Sequence, residues 1–357
     1  MSQEDFARHY RVDASRMLDL AMHMPDHIED AWRMMKSFEA PGRRKGPVIV
    51  CGMGGSAIGG RLLLDLIRPE AAVPIVLESG YALPAFADAS TPVVCVSYSG
   101  NTEETLSCFQ NAMIRRCPAV VVTSGGRLAE EAEAAGVAVL RVPGGMPPRA
   151  ALGFLFTPLL ALMAKWGICA ITDEEVDTAV RRSRKLVEKY SLGGEPVESR
   201  ALQLAKRLYG KTPLVYCGDG LLHAAAYRWK CQFNENAKSM AFTNYFPELG
   251  HNEIMGWECP ERLRSDFFLV MLRDVDDNPR VQRGMEAAYR LLEPLAGGAI
   301  LIESEGDRER EARLSRLLSI VLLGDFTSIY LAVEYGKDPT PIENIERIKE
   351  ELKMEDA

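Results

Sequence analysis

From Pro47 onward, short apolar runs alternate with stretches of helical periodicity, and each run is apolar along its whole length. A strand built this way must be covered on both faces, which crossover helices achieve in a parallel sheet. The pattern predicts strands over 47–52, 74–78, 92–97, 118–123 and 138–142, with helices over 56–68, 101–114 and 127–135. A second unit begins at Pro213. Pro47, Cys51, Gly52 and Gly54 recur as Pro213, Cys217, Gly218 and Gly220 at one constant offset. Here strands are expected at 214–217, 239–243, 267–272 and 298–302, and helices at 220–236, 278–293 and 308–334. The fold class is therefore α/β, with two doubly wound parallel sheets of flavodoxin-like type. In such sheets, ligands sit beyond the carboxyl ends of the strands.

Helical extensions flank this core. Residues 13–38 read as two helices broken at Pro25 and lying across the outside of the first domain. The turn 143–150 leads to an apolar helix at 151–166. A capped helix starts at Thr172 and runs to about Lys189, the Gly193–Pro196 turn precedes another helix, and a charged terminal helix is expected at 341–353. The junction near 167–172 gives domains at 1–170 and 171–357.

A net charge of −8 argues against nucleic-acid binding, which needs a basic face. Any anionic ligand must then be held by local groups. None of the eight cysteines is paired at CxxC spacing, and the five histidines do not join them at ligand spacings. The reading is reduced core thiols in a cytoplasmic protein, with no metal site. The polar stretch Met1–Tyr10 does not read as a signal peptide. Ala150–Ile168 comes closest to a membrane span, but Pro158 and Lys165 interrupt it, so no membrane partner is expected.

Two loops follow strands directly. Val96–Leu106 places Ser97, Ser99 and Thr102 around Gly100 ahead of a helix, the composition of an anion cradle. The plainer reading is a capping box, with Asn101 or Thr102 as cap and Glu104 or Thr105 answering. In the other loop, Gly52-x-Gly54-x-x-Ala57 with Glu78 is a weak fit to a dinucleotide fingerprint. The dense glycines and Ser56, at a natural N-cap position, suit approach to a polyhydroxyl ligand better. On residue chemistry alone, Glu235 reads first as a solvated helix end and His251 first as a structural residue after a Gly turn, while Arg149 reads equally as a surface residue after Pro147-Pro148.

Gly54-Gly55-Ser56 with Ser97-Tyr98-Ser99-Gly100-Asn101-Thr102-Glu103-Glu104-Thr105 resembles a sugar isomerase (SIS) domain. Asn234-Glu235-Asn236-Ala237-Lys238 and Phe246-Pro247-Glu248-Leu249-Gly250-His251-Asn252-Glu253-Ile254, with Arg149, resemble the bifunctional phosphoglucose/phosphomannose isomerase family over about residues 45–352. The resemblance implies interconversion of glucose 6-phosphate, with mannose 6-phosphate as a second aldose, and fructose 6-phosphate through a cis-enediolate, without metal or organic cofactor. It implies phosphate at Ser97, Ser99 and Thr102, and sugar hydroxyls or ordered water at Gly54, Gly55 and Ser56. Glu235 becomes the carboxylate that moves the proton between C1 and C2. Arg149 becomes the donor to the enediolate oxygen, and Lys349, with Lys337 as competitor, a terminal-helix cation near the sugar. His251 becomes the ring-opening group, reaching the neighbouring active site of a homodimer. Glu253 is expected to orient His251 or cap a helix, and His223 has no assigned role. Another phosphosugar isomerase of this fold, or a non-catalytic phosphosugar-binding regulator, would share the phosphate loop.

Overall fold

The computed structural model describes residues 9–42, 46–191 and 199–355; the Gly193–Pro196 turn lies outside them. Helices α1 (Met17–Met22) and α2 (Met24–Ser37) lead into β1 (Val48–Cys51), α3 (Ala57–Ile67), β2 (Ile75–Glu78), β3 (Val93–Val96), α4 (Glu103–Ile114), β4 (Ala119–Thr123), α5 (Gly126–Ala134), β5 (Ala138–Arg141) and α6 (Leu152–Lys165). The strands form one parallel sheet in the order β2-β1-β3-β4-β5. Its central strands β1, β3 and β4 are buried at every residue, as their unbroken apolar text requires. The order reverses between β1 and β3, so the crevice there is flanked by the two loops singled out in the sequence.

The second half runs α7 (Asp173–Tyr190), α8 (Arg200–Leu208), β6 (Thr212–Gly218), α9 (His223–Glu235), β7 (Phe242–Phe246), β8 (Phe267–Arg273), α10 (Pro279–Leu292), β9 (Ala299–Glu303), α11 (Arg313–Glu334) and α12 (Glu343–Glu355). Its four strands are also parallel, in the order β7-β6-β8-β9. The repeated text thus lies on equivalent strands: β1 and β6 each stand between the strand that follows them and the one after that. Thr172 caps α7 with a complete capping box, its hydroxyl accepting from Glu175 N while Glu175 accepts from Thr172 N.

Four expectations are corrected here. The N-terminal helices break at His23, and Pro25 sits in the first turn of α2, where its missing N–H costs nothing. They also cover more than the first sheet: α2 packs on α6 and α7, and α1 on α11. Strand β7 begins at Phe242, because the chain leaving α9 is held back by Asn234 Nδ2 donating to Ser239 O (2.9 Å) and by the left-handed turn at Lys238. Finally, among the described residues the helix that meets membrane-spanning length and apolarity is α11 and the turn before it, not 150–168. Its most apolar window is 94% buried inside the protein. It is the central core helix, packed against α7, α8 and α9, and one continuous apolar cluster runs through it from the first sheet to the second.

Candidate active site

The β1–β3 crevice is closed by a lattice of backbone and hydroxyl groups. Ser97 is fully buried, and its hydroxyl donates to Thr102 Oγ1 (2.9 Å) while accepting from Gly100 N (3.2 Å). Ser99 is exposed at the rim, its Oγ accepting from Asn101 N (3.3 Å). Thr102 occupies the N-cap of α4 with no side-chain cap bond, so the capping-box reading of this loop does not hold. Its hydroxyl is turned to Ser97, and Asn101 Oδ1 accepts from Arg127 N in the next loop (3.1 Å). Ser56 likewise makes no cap bond. Its Oγ accepts from Tyr98 N (3.1 Å), tying the glycine loop after β1 to the loop after β3.

Gly100 is fixed by geometry. Its φ is +70°, and a Cβ there would lie 1.7 Å from Gly125 O, in the Thr123–Gly126 loop after β4, which sequence reasoning passed over. Gly100→Ala is expected to push the two loops apart and raise the KM for a phosphorylated sugar at least about tenfold, the equivalent of ~1.4 kcal/mol. Steady-state kinetics with a thermal melt checks this; an unchanged KM in a folded variant would count against the loop as the anion site.

Arg149 joins this crevice to the second half. A Cβ on Gly55 would lie 3.0 Å from Arg149 N, so the first glycine loop rests on the Pro148–Arg149 backbone. The Arg149 side chain is 3% exposed. Its Nε donates to Asn236 Oδ1 (2.7 Å), and its Nη2 to Pro339 O (2.7 Å) and Thr340 O (2.9 Å). Nη1 is left facing Glu235 Oε2 at 3.6 Å. Burial disfavours the charge on Arg149, and Glu235 opposes that effect.

Glu235 ends α9, and α9 is held at both ends. At its start, Asp65 of α3 accepts from Ala224 N (2.5 Å), a carboxyl placed where the helix dipole favours it; burial pushes the Asp65 pKa up to about 7. Along its length, Arg228, Gln232 and Asn236 recur every four residues and so share one face. Arg228 pairs with Asp325 of α11 through Nε (2.9 Å) and Nη2 (2.7 Å), Gln232 also donates to Asp325, and Asn236 donates to Ser328. Arg228 Nη2 donates as well to Arg149 O (2.9 Å). The arginine and the carboxylate are therefore positioned by one buried polar network, which the sequence reading did not find. The signal was the four-residue spacing of polar residues in a helix otherwise packed by Trp229 and Phe233.

The structure does not bring the expected lysines here. Lys349 and Lys337 are exposed, and neither bonds to Glu235 among the described residues. The nearby cation is Lys238, whose Nζ donates to Glu235 O and to Pro339 O (3.0 Å). Although the stem is exposed, desolvation and then Arg149 bring its pKa down to about 8, against the pull of Asp338 and Glu235. Thr340 Oγ1 is buried in the same arm without a partner. His251 lies apart, exposed in the turn Glu248–His251 after β7. Glu253 neither orients it nor caps by its side chain. It accepts from Tyr216 OH (2.5 Å) and Asn244 Nδ2, and Asn252 supplies the cap. His223 is half-buried against Tyr245, with ring centroids 4.4 Å apart.

The corresponding crevice of the second sheet has the opposite character. Beyond β8, Asp277 presses on the Gly218-x-Gly220 turn, its carboxyl 2.9 and 2.8 Å from where Cβ atoms would stand. Asp274 is fully buried and paired with the buried Arg316 (3.0 Å), which also binds Asp276. Burial raises the Asp277 pKa to about 6. Carboxylates and their own arginine thus fill the space that hydroxyls and amides line in the first sheet.

Comparison with known proteins fits this asymmetric pair of sheets. Residues 197–352 match the model of the bacterial phospho-glucose isomerase C-terminal SIS domain. The chain is 37% identical over 338 residues to the bifunctional phosphoglucose/phosphomannose isomerase of Caldicellulosiruptor bescii, covering 94% of this chain and 98% of that one. The chain belongs to the bifunctional phosphoglucose/phosphomannose isomerase family. The Aquifex aeolicus member is 38% identical over 307 residues, 86% of this chain and 90% of its own. A hypothetical protein of Thermus thermophilus superposes with a TM-score of 0.75 at 16% identity, over 99% of this chain and 94% of that one. A putative phosphosugar isomerase of Clostridium difficile 630 gives 0.66 at 13%, over 91% and 95%. The last two bear on the fold, which is that of the SIS phosphosugar isomerases.

Proposed function

We propose that this family member interconverts glucose 6-phosphate, and mannose 6-phosphate as a second aldose, with fructose 6-phosphate. The observation that carries the reading is the Arg149–Glu235 pair, at 3.6 Å, set between the β1–β3 crevice and the end of α9. Residues 1–170 hold the phosphate at Ser97, Ser99 and Thr102 and the sugar beside Gly54, Gly55 and Ser56. Residues 171–357 supply the acid–base groups. Glu235 takes the C2 proton of the aldose as general base and returns it to C1, giving the ketose. Arg149 Nη1, the arm of the guanidinium not spent on carbonyls or Asn236, stabilises the enediolate oxygen. The cyclic sugar is opened by His251 of a second copy in a homodimer, since His251 stands apart from Glu235 within its own chain. All eight cysteines are free thiols, which supports a reducing, cytoplasmic setting.

The test is a coupled assay of purified protein on both aldose phosphates, with EDTA present. Turnover of both is expected. Turnover of glucose 6-phosphate alone would remove dual specificity, and turnover of neither would remove the isomerase reading.

A further inference from the structure

The flank of the site between α3 and α9 carries two cations that share one aromatic ring. The helices run antiparallel. At one end, Asp65 of α3 accepts from Ala224 N (2.5 Å). One turn on, Arg61 of α3 lies over the ring of Tyr227 of α9, its Cζ 5.0 Å from the centroid. Lys230 approaches the same ring, its Nζ at 5.8 Å. Beyond this point the glycine loop opens into α3 and α9 ends at Glu235. Arg68, two turns from Arg61, is paired with Asp219 (2.9 Å), but neither Arg61 nor Lys230 forms an ion pair among the described residues. Arg61 and Tyr227 are exposed and Lys230 is half-buried, so the three open to solvent together.

Two like charges repel, and one ring face offsets only part of that cost. Their neighbours supply no compensating charge near neutrality. Cys231 pushes the Tyr227 hydroxyl up, and burial pushes the Cys231 thiol up. Tyr227, Cys231 and Glu235 recur every four residues and form one stripe on α9, with Tyr227 about 12 Å along the helix from Glu235. The chain as a whole carries a net charge of −8 and so repels anions. The Ser97–Thr102 loop has no lysine or arginine of its own. A dianion that reaches this loop needs a local positive field on the way in, and Arg61 with Lys230 is placed to supply it.

We propose that Arg61 and Lys230, gathered on Tyr227, form an entry subsite that captures the phosphate dianion of the sugar before it reaches Ser97, Ser99 and Thr102. Both cations are accessible to water, so each contact is weak and screened by salt, as a site that hands its anion on requires. The cation pair stands on its own geometry; the naming of its anion as a phosphosugar rests on the isomerase reading.

Steady-state kinetics of the full chain on glucose 6-phosphate, at low and at high ionic strength, test this, with circular dichroism as the folding check. The wild-type KM is expected to rise with salt. Arg61→Gln/Lys230→Gln is expected to raise KM about tenfold at low salt, to flatten its salt dependence, and to keep kcat within about twofold of wild type. Arg61→Lys/Lys230→Arg keeps both charges and is expected to recover most of the KM. Arg116→Gln removes an exposed cation before β4, at the opposite end of the first sheet's strands, and is expected to leave KM and its salt dependence unchanged. A Gln double variant with wild-type KM and salt dependence, or a comparable effect from Arg116→Gln, would overturn the entry subsite. If the wild type turns over no sugar, the same chains are titrated calorimetrically with glucose 6-phosphate at both ionic strengths. Salt-dependent binding that the Gln double variant loses would keep the subsite and remove the isomerase reading. Binding that the double variant retains unchanged, or no binding by the wild type, would overturn the subsite as well.

Discussion

Glu235→Gln is expected to lower kcat on glucose 6-phosphate by about 10²–10⁴-fold, the range a positioned general base contributes. The substitution keeps shape and hydrogen-bonding capacity but removes the carboxylate that accepts the proton. Its structural cost is small. Glu235 is 28% exposed and meets Arg149 at 3.6 Å, while the Arg149 fork stays satisfied by Asn236, Pro339 and Thr340. Lys238 binds the backbone carbonyl of Glu235, not its side chain. Binding of an enediolate analogue and the unfolding midpoint should therefore stay near wild type, which separates loss of chemistry from loss of fold. A variant that keeps more than a tenth of the turnover would remove Glu235 from the role of base.

Arg149→Lys should be the most damaging charge-conserving change. A lysine keeps the cation but presents a compact ammonium in place of a planar fork. It cannot serve Asn236 Oδ1, Pro339 O and Thr340 O together while facing Glu235. Each acceptor left unmet in a buried site costs free energy, and the expected loss is about 3 kcal/mol of unfolding stability, read as a lower urea midpoint at unchanged slope. The arm from Pro339 to Thr340 should loosen with it. The kcat should also fall by about 10²–10³, as when a donor to a developing oxyanion is lost. If stability falls and kcat at saturating substrate does not, Arg149 is a structural clamp and the enediolate is stabilised by another group.

Much of this architecture was legible in the text because it rests on local regularities. Continuous apolar strands specify a sheet covered on both faces, and the nine strands among the described residues lie where that rule put them, save the shift of β7. That shift came from a tertiary cause: Asn234 and Lys238 shape the exit from α9, and no periodicity records it. The loops were visible through glycine and serine, but their internal bonding was not. Ser56 and Thr102 look like caps in sequence and serve instead as cross-braces, because a hydroxyl takes whichever donor the fold brings nearest. The Arg228–Gln232–Asp325 network was hidden for the same reason: Asp325 lies in the long buried helix α11, and its partner is almost a hundred positions away. Lys349 was expected from resemblance, yet within the single chain Lys238 is the lysine beside Glu235.

The filled crevice of the second sheet sets a count. Two related sheets offer two switch points, but Asp274 and Asp277 turn one of them against anions, so under the proposed reading each chain takes one phosphosugar and a dimer takes two. With that space closed by its own ion pairs, the second sheet is left to carry groups at its margins, Glu235 on one side and the His251 turn on the other, and under the proposed reading these face two different sugars from one frame.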